Sequence, residues 1–236
     1  MTLDYEFGKA LNVYGFYEIP KVYFERPAAK LLLEGKVYEP RTISFIRNLA
    51  GDGSVVSGGA FIGDFLPAIS AVLKKHQKLI TFEPNPISFA AASRTIALNK
   101  LANVQIFNVA VGETMADRKL EVSRRGVALG GSSRIVAKDA TLGKAVETVA
   151  VAMVTIDSLI PKDKRISILH LDIEGFEVSA LKGARKVIAA YKPTIILEGT
   201  DQAKVDEFLS ILNDISGAGV YRHAGSMEHN SFFSAA

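Results

Sequence analysis

The run Ser54-Val-Val-Ser-Gly-Gly-Ala-Phe-Ile-Gly63-Asp64 decides how this chain is read. Two valines between serines make a short buried strand, and the glycines that follow stop it and turn the backbone. A helical pattern then covers 64–75. Strand, glycine turn and helix in that order bring bare backbone close to a ligand lying against the helix start. The same segment without a ligand would be a tight turn and nothing more. The spacing is not Gly-x-Gly-x-x-Gly, because Gly58 and Gly59 are adjacent and Gly63 follows four residues after Gly59.

Working outward, further β-rich runs occur at 79–82, 104–109, 166–171 and 194–197. Helical patterns separate them at 86–99, 176–191 and 203–216, and one more precedes the first strand, from Glu39-Pro40 to Leu49. Nearly all-apolar strands alternating with helices predict a parallel sheet covered on both faces, an α/β fold. Two closing runs, 220–223 and 231–233, are joined by a short connection and predict an antiparallel hairpin at the sheet edge. Residues 1–37 carry Tyr5, Phe7, Tyr14, Phe16, Tyr17, Tyr23 and Phe24. They read as an irregular N-terminal extension packed on a domain spanning 38–236. The rhythm breaks over 119–154, where two possible strands flank Arg124 to Arg134, a glycine- and serine-rich stretch expected to be a mobile insertion.

Composition narrows the classes. In 236 residues, 28 Lys and Arg oppose 25 Asp and Glu, and 48% of residues are hydrophobic, so disorder is excluded as the main state. The absence of Cys removes disulfides, thiol nucleophiles and Cys-based metal sites. No metal ligand set is expected. The cations are interleaved with acids rather than drawn into a stripe, so nucleic acid is not the expected partner. The acidic start Met1 to Glu6 has no apolar region behind it, and no transmembrane segment is expected. A cytoplasmic protein is the expectation, and a homo-oligomer is compatible with it.

Three further constellations sit at predicted strand ends. Glu83, twenty residues past Gly63, is placed to accept both hydroxyls of an adenosine ribose. Asp64 stands at the predicted helix start, where it would repel a dinucleotide's pyrophosphate but not an ammonium or sulfonium. That favours S-adenosylmethionine over NAD. His170-Leu-Asp-Ile-Glu-Gly175 ends the strand at 166–171, and Glu198 ends the next. If the strand continues, His170, Asp172 and Glu174 share a face, able to accept a hydroxyl proton, orient a substrate or hold a hard cation. Capping of the following helix is the alternative for Glu174, and packing the alternative for His170.

Together these residues resemble the FkbM family of S-adenosylmethionine-dependent methyltransferases. The likeness runs from Tyr38-Glu39-Pro40 through Gly59-Ala60-Phe61-Ile62-Gly63-Asp64, Phe82-Glu83-Pro84-Asn85-Pro86, Ala97-Leu98-Asn99, Asn108 to Gly112, Thr155 to Leu159, Leu171 to Gly175 with Leu181-Lys182-Gly183, and Lys192-Pro193 to Glu198. The resemblance implies a Rossmann-like class I methyltransferase fold, a seven-stranded, mostly parallel sheet whose last strand is antiparallel, with helices on both faces. It implies S-adenosyl-L-methionine as cofactor, contacted by Gly58, Gly59, Ala60, Phe61, Ile62 and Gly63, by Glu83, Pro84 and Asn85 at the ribose, and by Val109 and Ala110 near the adenine. Asp172, Glu174 and His170 become the candidate catalytic group, Asp172 also touching the cofactor. Where the family usually has an acid ending the first strand this chain has Ser57, so Asp64 or Glu39 is expected to help hold the cofactor's amino-acid end. Where the family usually has Lys, it has His170. The Gly130-Gly131-Ser132-Ser133 segment resembles one that closes over the site. The family's usual reaction implies an O-methyltransferase acting on a small-molecule or glycan hydroxyl. The alternatives are a silent cofactor-binding paralogue serving as an interaction module, an NAD-linked oxidoreductase and a nucleic-acid methylase.

Overall fold

A computed structural model describes residues 6–137, 141 and 143–235. Tyr5, Met1 to Asp4 and part of the insertion, 138–140 and 142, lie outside the described residues. In chain order the strands are β1 (Phe7–Asn12), β2 (Gly15–Pro20), β3 (Ser54–Gly58), β4 (Leu79–Phe82), β5 (Val104–Phe107), β6 (Ala110–Val111), β7 (Ala116–Arg124), β8 (Val127–Ala128), β9 (Arg134–Ile135), β10 (Val146–Val154), β11 (Ile166–Leu171), β12 (Thr194–Glu198), β13 (Tyr221–Met227) and β14 (Asn230–Ala235). The helices are α1 (Pro27–Leu33), α2 (Pro40–Leu49), α3 (Leu66–Ser70), α4 (Pro86–Leu98), α5 (Ile156–Leu159), α6 (Glu177–Lys182), α7 (Arg185–Tyr191) and α8 (Gln202–Ser216).

Seven strands form the central sheet in the order β13-β14-β12-β11-β3-β4-β5. From β12 to β5 every pairing is parallel, while β14 runs antiparallel to β12 and to β13. The apolar strands are buried because both faces are covered. On one face Val56, Leu169 and Ile195 pack against Leu181, Ile188 and Phe208 of α6, α7 and α8. On the other, Val55, Ile168 and Ile196 meet Ile46, Ile69 and Ala92 of α2, α3 and α4. Successive strand residues serve opposite faces, so one strand feeds both cores. Among the described residues no helix is long and apolar enough to cross a membrane.

Local chemistry moves several boundaries away from the sequence reading. The helix expected over 64–75 is only Leu66–Ser70. Gln77 accepts the Lys74 N–H and donates to the Gly51 carbonyl, fastening a turn where the helix would continue. The helix expected over 176–191 breaks at Gly183, where an added Cβ would lie 2.0 Å from the Gly112 carbonyl oxygen. Asp157 then accepts the N–H groups of Lys186 and Val187, both at 3.0 Å, and starts α7 afresh.

The two unassigned stretches also have structure of their own. The N-terminal segment is not irregular: β1 and β2 form a six-pair antiparallel hairpin, and Tyr17, Ile19, Tyr23 and Leu32 are buried with Phe61 and Ile62. The insertion forms a second sheet in which β10 pairs antiparallel with β7 and parallel with β6, while β8 and β9 flank β7.

Candidate active site

The parallel strands deliver their carboxyl ends to one edge of the sheet, and a cleft opens there. Gly59 turns the chain out of β3 with φ +80°, and an added Cβ would stand 1.9 Å from the Asp172 carbonyl oxygen. Only glycine lets the two strand ends approach this closely. The N–H groups of Gly59 and Ala60 both donate to the Phe82 carbonyl at 3.2 Å, tying the turn to β4. Gly58 is required by the Phe82 ring, 2.5 Å from where its Cβ would be. Gly63 packs on Thr95 of α4 instead of facing the cleft.

Glu83 follows β4 and is buried. Its Oε2 accepts the Phe61 N–H at 2.8 Å and its Oε1 the Asn85 N–H at 2.9 Å. Burial pushes its carboxyl up to about 8 against the lowering effect of those two bonds. Asn85 itself caps α4 by accepting the Ile87 N–H, and its amide donates to Ser133 Oγ at 2.9 Å. Phe61 holds φ +43°, a left-handed conformation that costs a bulky residue energy.

Ser57 and His170 are register partners on β3 and β11, and Ser57 Oγ lies 3.0 Å from His170 Nδ1. The imidazole stacks on Phe65 with ring centroids 5.4 Å apart and an interplanar angle of 5°. Its Nε2 is buried and has no hydrogen-bond partner among the described residues. Burial depresses the imidazole to about 4, so it is neutral at physiological pH.

The Asp172–Glu174 pair does not share a strand face, because β11 ends at Leu171. Instead the chain turns: Glu174 has φ +56° and Gly175 φ +87°. Glu177, at the first position of α6, holds this turn by accepting the N–H groups of Ile173 at 3.1 Å and Gly175 at 3.2 Å. Both acids still line the cleft. Burial, followed by the charges of Glu198, Glu39, Glu174 and Glu177, holds the Asp172 carboxyl well above the ordinary carboxylate range. Burial and then Glu198 and Glu177 push Glu174 up to about 7. Asp64 is pushed to about 7 by burial. It precedes α3 by two residues rather than starting it, so the argument from the helix dipole does not apply to it.

The roof comes from the N-terminal segment and the insertion. Arg26 and Pro27 enter from the N-terminal segment, and the Arg26 guanidinium donates to the Leu129 carbonyl. Gly131 and Ser132 line the same cleft, so the glycine-serine segment does lie over the site. A second, more apolar compartment shares Gly59, Glu83, Asp172 and Glu174 and continues between Ala110, Leu120, Ile135 and Phe176. Pro84 borders it. Of the expected cofactor contacts, Gly58, Ile62, Gly63, Asn85, Val109 and Glu39 line neither compartment. The Glu39 carboxylate accepts a hydrogen bond from Asn230 Nδ2 at 2.8 Å, and its neighbour Tyr38 faces the cleft instead. Glu198 ends β12 at the same sheet edge without lining either compartment.

Tyr38, Phe65, Arg26 and Glu177 are the residues missed from sequence. Glu177 carried a readable signal, an acid in the first turn of a helix; the others depend on contacts between distant segments. Among the described residues no cluster of three or more His, Cys, Asp or Glu is arranged to hold a metal.

Residues 57–222 match the model of the methyltransferase FkbM domain. No curated protein matches the chain. Among solved structures it is similar to the methyltransferase FkbM from Methylobacillus flagellatus KT, at 20% identity and a TM-score of 0.53, with 78% of this chain and 43% of that one covered. The chain thus spans less than half the length of that protein. It is also similar to the ribosomal protein L11 methylase from Lactobacillus delbrueckii subsp. bulgaricus, at 9% identity and a TM-score of 0.50, covering 84% and 78% of the two chains. A third likeness, at 12% identity and a TM-score of 0.50, is to a Pyrococcus abyssi tRNA (uracil-54, C5)-methyltransferase in complex with S-adenosyl-L-homocysteine, covering 97% and 44%. With its glycine turn, buried strand-end acid and antiparallel β14 inserted between β12 and β13, the chain belongs to the FkbM family of methyltransferases and has the class I fold.

Proposed function

We propose that this protein transfers a methyl group to a hydroxyl of a sugar, glycolipid or related natural product. The observation that carries the reading is the pair Asp172 and Glu174. Both line the cleft beside the Gly59 turn, and both are carboxyls that burial, and then the charge of Glu198, make unusually basic. A carboxylate so raised is a better proton acceptor than an exposed one, and a positioned base of this kind contributes about 10²–10⁴-fold.

The residues suit the cofactor. The Gly59 turn borders both compartments, and Glu83 is a buried acid beside them. The apolar walls around Ala110 and Phe176 suit a flat adenine, and the surrounding acids suit a ligand with ammonium and sulfonium charges. When bound, the cofactor supplies an electrophilic methyl group. The protein's own work is to hold the acceptor hydroxyl in line with that group, which makes orientation the main source of acceleration. Asp172 or Glu174 takes the hydroxyl proton, and the roof of Arg26, Gly131 and Ser132 limits water. We assign the methyltransferase domain to 38–236 and a capping role to 1–37, and place the protein's work in the cytoplasm.

A second reading, a silent paralogue acting as an interaction module, is favoured by Ser57 and His170, a neutral pair where the family usually has charged residues. Calorimetric titration with S-adenosylhomocysteine, with NADH as control, followed by transfer of labelled methyl from S-adenosylmethionine to a panel of glycans, decides between them. Selective S-adenosylhomocysteine binding and base-stable label in a glycan support the methyl ether reading. Binding without transfer to any hydroxyl acceptor gives the silent reading first place, and label lost to mild base points to an ester instead.

A further inference from the structure

The β1–β2 hairpin hides one face and shows the other. Ala10, Tyr17 and Ile19 are buried, whereas the cross-strand partners Leu11 and Phe16 are each 55% exposed and Val13 in the turn is 83% exposed. Asn99, after α4, holds this turn by accepting the Phe16 N–H at 2.9 Å and donating to the Phe16 carbonyl at 2.6 Å, and Leu98 before it is 43% exposed. Leu11, Val13 and Phe16 are exposed at the turn and line none of the cavities described, so they offer no pocket for a partner's side chain.

The charges around the turn are one-sided. Lys9 lies on the same strand face as Leu11, and Lys100 follows Asn99; neither has an ion-pair partner among the described residues. The nearby acids are already matched. Glu18, across from Lys9, pairs with Arg94 at 2.6 Å, and Glu34 pairs with Lys36 at 2.7 Å. Arg47 adds a further cation, 5.1 Å over the Tyr14 ring.

An apolar tip flanked by unmatched cations complements a bilayer interface, where the acyl boundary accepts the former and anionic headgroups the latter. We propose that the β1–β2 turn docks the protein peripherally on an anionic phospholipid bilayer. The surface lies in the same N-terminal segment that sends Arg26 and Pro27 to the cleft rim, so docking tethers that rim to the membrane. The inference does not depend on which acceptor is methylated.

The test is co-sedimentation of the whole protein with vesicles of phosphatidylcholine alone and of phosphatidylcholine mixed equally with phosphatidylglycerol. Binding to the anionic vesicles, weakened by salt, is expected, with little binding to the neutral ones. The double variant L11S/F16S is expected to lose about tenfold or more in vesicle affinity, and Lys9→Gln and Lys100→Gln about fivefold each. Circular dichroism and S-adenosylhomocysteine binding of the variants, expected to be unchanged, show that they are folded. The proposal is overturned if the wild-type protein ignores anionic vesicles, or if the folded double variant binds them equally well. It is also overturned if ultracentrifugation finds a dimer that the same substitutions dissociate, which would make a second copy of the chain the occupant of the surface.

Discussion

The two edges of the central sheet are built from the same strands and treat polar groups in opposite ways. At the amino edge, Ser54 Oγ accepts the Lys78 N–H at 3.0 Å, Ser167 Oγ donates to the Ala50 carbonyl at 2.6 Å, and Gln77 donates to the Gly51 carbonyl at 3.0 Å. Each polar side chain finds a backbone partner nearby. At the carboxyl edge, a few residues along the same strands, His170 Nε2 has none among the described residues. There Asp172 is crowded by other acids. Buried polar groups are normally satisfied, and like charges are normally kept apart. The contrast marks the carboxyl edge as the end kept ready for a ligand, and the amino edge as scaffold.

The sharpest way to break this contrast is at the base. Asp172→Asn is expected to lower turnover by about 10²–10⁴-fold while leaving S-adenosylhomocysteine affinity within a few-fold, as read by steady-state assay and calorimetry. Glu174→Gln distinguishes the two candidates, and unchanged turnover in both variants would remove the carboxylate base from the mechanism. Next in size is the turn. Gly59→Ala forces a Cβ against the Asp172 carbonyl at positive φ, and about 3 kcal/mol of stability should be lost together with cofactor binding. Ser54→Ala at the amino edge is the matched control, expected to cost about 1 kcal/mol with binding intact. Equal losses of binding in the two variants would erase the distinction between the edges.

Titration sharpens the comparison further. His170 is held near 4 against an ordinary 6.5, so the unfolded chain takes up its proton first and stability should fall as pH drops from 6.5 towards 4. Glu83, raised to about 8 from 4.5, acts in the other direction: its contribution is present below 4.5 and is lost as pH rises through 8. The two oppose each other between about 4.5 and 6.5, so thermal melts of the ligand-free protein should show stability falling as pH rises from 6.5 to 8, and in His170→Phe the acid side should gain stability relative to pH 7. The smallest effect is proton release. Asp64 and Glu174, both near 7, should ionise further as a positively charged cofactor arrives. Calorimetry of S-adenosylmethionine binding in buffers of different ionisation enthalpy measures the protons released near pH 7, and no release would place these acids away from the ligand's charge.

Legibility in the sequence followed the range of the interactions. Strands β4 and β11 lie over the predicted residues, because a continuous apolar run bounded by polar residues is a local property. The break between α6 and α7 was hidden because it depends on Gly112 and Asp157, far from Gly183 in sequence. The second sheet was hidden for the same reason, since β10 takes β6 and β7 as partners from across the insertion. In the site, Gly59 and Glu83 were readable from spacing. The bend that re-aims Glu174 was not, because a strand-face argument assumes an extended backbone and Glu177 fastens a turn there instead.

One fastening has a bearing on how the protein is made. The carboxylate of Glu228, in the turn between β13 and β14, accepts the N–H groups of Arg41 and Thr42 at 3.3 and 2.8 Å, and Asn230 holds Glu39. These bonds anchor the segment that presents Tyr38 to the cleft, and they span nearly the whole chain. On the ribosome, the glycine turn and its parallel neighbours have their partners long before residue 228 emerges. The wall carrying Tyr38 does not, so the five parallel strands can pair before the chain acquires a finished binding site.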